Sequence, residues 1–269
     1  MADRLTDLLT APVSPVDTSS WRAALADATA MLARLAVRRA GAGPFRVTDH
    51  EVRAALHGDA ADRFAPSAFA WSARTARRAV GLAAVRLLVA GGARSPLDAV
   101  QARLDESVRW VHEGSPCAAQ LDRWVAGLSP AGRAAVGADA VTWATRLWCA
   151  VDWAALGAVP AIGRDRWWDS PHSALLALRG RAEVRTDGAN LVVLSGPRRD
   201  SVRAELALVT LVDSLRGRRD ATVAGRVVGW WPDSGHLVRV EPEPAVLALG
   251  AEAVALVLSE AGAGVRPAA

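Results

Sequence analysis

LLALRGRAEVRTDGANLVVLSGPRRDSVRAELALVTLVDSL, residues 175–215, is the stretch that decides the fold. Residues 175–185 and 191–195 are short aliphatic runs separated by Asp187-Gly188, a dipeptide suited to the positive backbone angles of a tight hairpin turn. The period then changes. Val202, Leu206, Val209 and Val212 recur at the spacing of one helix face, which predicts a helix over 198–215. Two further strands, 226–231 and 237–240, flank the turn-forming Pro232-Asp233-Ser234-Gly235, and a last helix covers about 244–261. Strand-strand-helix-strand-strand-helix is the order of an α/β domain with a small mixed sheet.

Upstream, the signals are those of helices with short connectors. Ser20 can cap a helix over 21–39 that stops at Gly41-Ala42-Gly43-Pro44. Thr48-Asp49-His50-Glu51 is a capping box opening a short helix to His57. A long helix over 67–90 meets Gly91-Gly92. Ser95-Pro96, Ser115-Pro116 and Ser129-Pro130 each pair an N-cap with a proline at the first helical position, giving helices to about Gly114, Leu128 and Trp153. The expected organisation is therefore a helical region over 1–160 followed by an α/β domain over 161–269.

Three patterns stand in the second region. They are Gly180-Arg181-Ala182-Glu183, then Leu191-Val192-Val193-Leu194-Ser195-Gly196, then Glu205-Leu206-Ala207-Leu208-Val209. With the element order over 176–260 they resemble the RecB-like branch of the PD-(D/E)XK nucleases, whose fold is restriction-endonuclease-like. In that family one strand carries an acid in a Gly-x-x-Asp setting, the next an Asp-x-Lys or Glu-x-Lys triplet, and the helix a Gln-x-x-x-Tyr. Acids at neighbouring strand ends hold a divalent metal there, and the lysine helps place the attacking water. Here Glu183 stands at the first acid, Leu194 at the second, Gly196 at the lysine, Glu205 at the glutamine and Val209 at the tyrosine. One position of five keeps a competent residue. The resemblance implies a non-catalytic module without a resident metal, binding DNA or scaffolding a repair or defence assembly. Two alternatives stay open. One is an active Mg²⁺-dependent nuclease using Asp169, Glu183 and Glu205, with Glu183-Val184-Arg185 as the acid-x-base triplet. Arginine replaces that lysine badly, because it stays protonated. The other is a protein-interaction subunit with no nucleic-acid role.

Composition narrows the classes. Hydrophobic residues make up 51% and charged residues 22%, enough for a core. The chain has no lysine and no tyrosine, so all 32 basic residues are arginine. With few groups titrating at high pH, a net charge of +4 suffices for a pI near 10.5. Split at residue 160, the halves hold 18 arginines against 15 acids and 14 against 13, so neither is a strongly basic domain. Schiff-base and P-loop lysine chemistry are excluded. No apolar run reaches a membrane span and no signal peptide is legible, so the expected compartment is the cytoplasm, with no membrane partner. Cys117 and Cys149 are too few and too far apart for a disulfide framework or a zinc site.

The candidate nucleic-acid surface is Trp71 with Arg74, Arg77 and Arg78, a helical wedge able to grip phosphates and stack on a base. Its bland counterpart is a solvated face. Trp143, Trp148 and Trp153 read as core, while one of Trp230 and Trp231 is expected at the surface or covering the helical half, since neighbours on a strand face opposite ways. Trp167-Trp168 poses the same question. His172 near Asp169 could join a site, without metal-ligand spacing to support it.

Overall fold

The computed structural model describes residues 2–13, 16–38, 45–57, 70–157, 160–170, 176–217 and 225–263. Along the chain they form α1 (Ala2–Thr10), α2 (Thr18–Arg38), β1 (Phe45–Val47), α3 (Asp49–Leu56), α4 (Ala73–Val89), α5 (Pro96–His112) and α6 (Gln120–Ala126). There follow α7 (Pro130–Ala150), β2 (Ala161–Ile162), β3 (Arg166–Asp169), β4 (Leu176–Gly180), β5 (Val184–Arg185) and β6 (Ala189–Val193). Last come α8 (Val202–Gly217), β7 (Arg226–Trp231), β8 (His236–Val240) and α9 (Pro244–Ala263). The fold is mixed α/β. Among the described residues no helix is long and apolar enough to cross a membrane.

The chain divides into two compact units, Met1–Asp7 with Ser67–Gly163 and Leu8–Pro66 with Arg164–Ala269. This differs from a single boundary after residue 160. The segment 8–66 belongs with the C-terminal unit because α2 and α3 bury their apolar faces on α8 and α9, and β1 pairs in parallel with β4. The periodicity of α2 shows that it has a buried face but not what covers it.

Unit 1 is built from α4 to α7, with α4 packed on α5 and α7. Ser72, Ser95 and Ser129 accept the backbone N–H of the third residue along, capping α4, α5 and α7. α6 begins at Gln120, later than Ser115-Pro116 predicts, because the Asp122 carboxylate takes the Ala119 N–H and closes the turn there. The same carboxylate, almost wholly buried, receives Arg103 and Ser107 from α5. Gly81 lets α4 approach α7: a Cβ there would stand 2.6 Å from Trp143 Cε3.

In unit 2 the strands lie in the orders β1-β4-β3 and β5-β6-β7-β8. β5–β6 and β7–β8 are antiparallel hairpins, and α8 crosses from β6 to its parallel neighbour β7. The expected strand 175–185 is broken. β4 and β5 belong to different sheets, and the chain turns between them beside Gly180, where a Cβ would meet Val212 of α8 at 3.0 Å. Residues 204–215 of α8 are all buried, with Leu208, Leu211 and Val212 against Leu32 of α2 and Leu247 and Val254 of α9. Trp230 and Trp231 are both buried; Trp231 packs with Val202, Leu206 and Val240 and meets the His236 ring at 5.4 Å. Both faces of β7 are covered, so strand alternation does not expose either ring.

Inside this unit Arg185, 2% exposed at its side chain, gives Nη1 to both oxygens of Asp213 at 2.9 and 2.7 Å and Nη2 to the Gly180 carbonyl. Asn190 adds a hydrogen bond to Asp213. Asp213→Ala leaves a buried guanidinium uncompensated and should lower the unfolding free energy by about 3–5 kcal/mol, seen as an earlier urea midpoint. An unchanged midpoint would mean the pair contributes nothing.

Candidate functional site, an arginine-locked carboxylate cluster

Glu183, in the link between β4 and β5, has no exposed surface. Its Oε2 accepts the Val193 N–H at 2.8 Å and its Oε1 the Arg181 Nε–H at 3.2 Å. Arg181 also donates to the Val193 carbonyl at 2.7 Å and to Asp49 Oδ2 at 3.0 Å. Val193 ends β6, so one arginine and one glutamate pin the β4–β5 link to that strand end.

Asp49 opens α3. Its other oxygen accepts Arg179 of β4 at 3.0 Å. Burial pushes the Asp49 carboxyl up, but the charges of Arg181 and Arg179 outweigh it and hold the group at about 2, below the ordinary 3.8. The same balance acts on Arg181, whose burial is overridden by Glu183 and Asp49, so its pKa is raised. One turn along α3, Arg53 approaches Asp49 at 4.0 Å and donates to Glu205 Oε2 at 2.8 Å.

Glu205, in the first turn of α8, is 3% exposed. Arg199 clasps it with Nε on Oε1 at 2.6 Å and Nη2 on Oε2 at 2.7 Å, the two-pronged geometry only arginine offers. Desolvation raises the Glu205 carboxyl, and the hydrogen bonds from Arg199 and Arg53 bring it below its ordinary value. The Ser201 hydroxyl donates to Glu205 Oε1 at 2.9 Å, and His57 Nε2 lies 3.0 Å from the same hydroxyl. A hydroxyl has one hydrogen, so with that hydrogen on Glu205 the His57 Nε2 is the donor and carries its proton. This order is the reverse of a nucleophile activated by histidine.

The result is an alternating chain, Glu183–Arg181–Asp49–Arg53–Glu205–Arg199, across α3, the β4–β5 link and the start of α8. It fits a divalent metal poorly. Mg²⁺ needs carboxylate oxygens free to face it, whereas every oxygen of these three acids already accepts a charged or backbone N–H. Leu194, buried, supplies no ligand, and Gly196 is exposed at φ +79°. Among the described residues no three His, Cys, Asp or Glu side chains converge as a metal site would require.

Glu183 and Glu205 are thus joined through Asp49, while Asp169 stands apart, exposed at the end of β3 and registered with Ala177. Arg185 is committed to Asp213. His172 lies outside the described residues. In unit 1, Arg74 is exposed at the start of α4, Arg77 and Arg78 are half-buried, and Trp71 is half-buried ahead of the helix, so the wedge presents less free charge than its sequence suggests. Trp143, Trp148 and Trp153 are half-buried rather than core; Trp153 stacks on Trp148 at 5.7 Å and donates to its carbonyl. Trp167 lies under Arg179, and Trp168 packs on the unit 2 core. In the sequence Asp49 reads only as part of a capping box, and no motif there singles out Arg53, Arg179, Arg181 or Arg199 as a site residue. The available signal was the parity of Arg179, Arg181 and Glu183 on one extended stretch. No protein-family model, curated protein or solved structure matches the chain.

Asp49 supplies a pH test. Its folded pKa is depressed, so its contribution, about 2 kcal/mol, is fully present above the unfolded value near 3.8 and is lost as pH falls through about 2. Asp49→Asn should flatten the loss of stability across that window in acid unfolding followed by circular dichroism. A slope equal to that of the unaltered chain would show that Asp49 is not held low.

Proposed function

We propose that unit 2 is a non-catalytic module of PD-(D/E)XK-like type that serves a DNA-handling assembly as a scaffold rather than cutting nucleic acid. The observation that carries this reading is the commitment of Glu183, Asp49 and Glu205 to arginine. Under this reading a guanidinium answers the acids that a nuclease would give to a metal, and it is covalently part of the chain. The element order supports the resemblance: a β5–β6 hairpin, the α8 crossover and β7 parallel to β6 follow the family's pattern, with Glu183 beside the end of β6. The absence of any lysine agrees, because the water-activating position has no substitute that can shed a proton.

A second reading, direct DNA contact, is favoured by Arg198 and Arg203, both exposed on either side of Ser201. They leave positive charge at the start of α8.

Incubation of the full chain with labelled single- and double-stranded DNA and Mg²⁺ or Mn²⁺ tests both. The expected result is no cleavage with either ion. Cleavage that disappears in Glu183→Ala and Glu205→Gln would overturn the non-catalytic reading. A salt-sensitive mobility shift weakened by Arg198→Ala and Arg203→Ala would favour DNA contact over pure scaffolding.

A further inference from the structure

Asp187-Gly188 is the single Asp-Gly pair of the chain, which has no Asn-Gly. The pair forms the tip of the β5–β6 hairpin. The Thr186 N–H donates to the Ala189 carbonyl at 2.8 Å, and the Ala189 N–H to Thr186 Oγ1 at 3.0 Å, closing the turn over these two residues. Asp187 is exposed, and among the described residues its carboxylate has no partner. The peptide joining Asp187 to Gly188 likewise makes no hydrogen bond among them. Turning that peptide changes only the Asp187 ψ and the Gly188 φ, and glycine accepts either sign of φ. The carbonyl beyond it is held separately, by the Arg226 N–H at 2.9 Å.

We propose that Asp187 is a site of spontaneous backbone isomerisation, which converts the hairpin tip to an isoaspartyl linkage. The Gly188 nitrogen attacks Cγ of the protonated Asp187 carboxyl. An N–Cγ bond forms, and the amide hydrogen leaves with the carboxyl hydroxyl as water, closing a cyclic imide. Water then opens the ring at either carbonyl. Opening at Cγ restores aspartate. Opening at the main-chain carbon leaves the chain running through Cβ and Cγ, with the former main-chain carbon as a free carboxylate. No oxidant or cofactor enters, and the product holds the same atoms as the starting chain. Glycine matters because it puts no Cβ in the path of its own nitrogen.

The fold makes this change consequential. An isoaspartyl link adds one carbon to the main chain of a tight turn. β5 holds the hairpin with only Val184 and Arg185, registered with Leu191 and Asn190. Arg185 is the buried partner of Asp213, and Glu183, just before the strand, accepts the Val193 N–H. A lengthened tip disturbs the register on which both depend. It also has little room: a Cβ on Gly225 would already stand 2.6 Å from the Gly188 carbonyl oxygen. The modification therefore loosens the arginine locks of unit 2, whatever that unit does with nucleic acid.

Peptide mapping of the full chain, before and after several weeks at neutral pH and physiological temperature, tests this. Trypsin cuts after Arg185 and Arg198, so residues 186–198 carry the tip in one peptide. The expected result is a second chromatographic form of that peptide with unchanged mass, which takes a methyl group from an isoaspartyl O-methyltransferase. Gly188→Ala should slow its appearance about tenfold or more. The added Cβ would meet only Val13 Cγ2 at 3.9 Å, so this variant fits the fold. Asp187→Glu, whose imide ring would be one atom larger, should give none. The converted chain should unfold at an earlier urea midpoint than fresh chain. A synthetic peptide of residues 186–198 that converts while the folded chain keeps Asp187 intact, or a converted chain with an unchanged midpoint, overturns the inference.

Discussion

A carboxylate taken out of water must regain a cation and N–H donors, or it gives up its charge. The cluster of unit 2 withdraws Glu183 and Glu205 fully and Asp49 in large part, and the way it repays each one fixes how α3, the β4–β5 link and α8 meet. Arg181 serves Glu183, Asp49 and a backbone carbonyl at once; Arg53 serves Asp49 and Glu205; Arg199 closes the far end. Because Arg181 and Arg53 are each shared between two acids, no acid can leave its place without stranding a charge on another element. Such a network adds less to net stability than apolar packing would, but it rejects wrong arrangements strongly, since a slipped register leaves an unpaired ion.

The same arithmetic bears on chemistry. A divalent metal and a guanidinium both answer the need of clustered acids for positive charge, and they exclude each other. The metal leaves coordination positions open to water and substrate. The guanidinium spends its donors in a fixed plane and cannot give up a proton. A cluster neutralised from within has its electrostatics settled in the folded chain. Ser201 and His57 show the same preference for closure, with the hydroxyl donating to Glu205 and the imidazole resting on that hydroxyl.

Local chemistry made part of this legible in advance. Asp187-Gly188 and the Pro232 to Gly235 turn mark their hairpins, and Ser95-Pro96 and Ser129-Pro130 mark helix starts, because caps and turns are decided within four residues. The cluster was not legible beyond Glu183 and Glu205, since Asp49 meets Arg179 and Arg181 across 130 and 132 positions, and Arg53 meets Glu205 across 152. Read locally, Asp49 suits a helix first turn and Arg53 an exposed face, and both descriptions are true without being the reason for the residue. The break at Gly180 was hidden for a related cause. The strand pattern continues through 175–185, and what stops it is Val212 pressing from a helix thirty residues on. For Trp230-Trp231, alternation gives opposite faces, and both faces of β7 are covered, so neither ring is exposed.

The lysine-free composition gives these networks a particular pH character. Lysine pairs weaken as the ammonium titrates near pH 10, whereas arginine keeps its charge throughout the accessible range. Among the described residues, the carboxylates of Asp49 and Glu205, held below their ordinary values by the arginines around them, therefore release these pairs from the acidic side. The high pI and the internal locks follow from one fact. Arginine is the sole permanent cation available, so it is used both as surface charge and as the structural counterion of the core. A sequence so composed carries many arginines without being a basic protein, and its guanidinium count measures internal carboxylates as much as it measures affinity for phosphate.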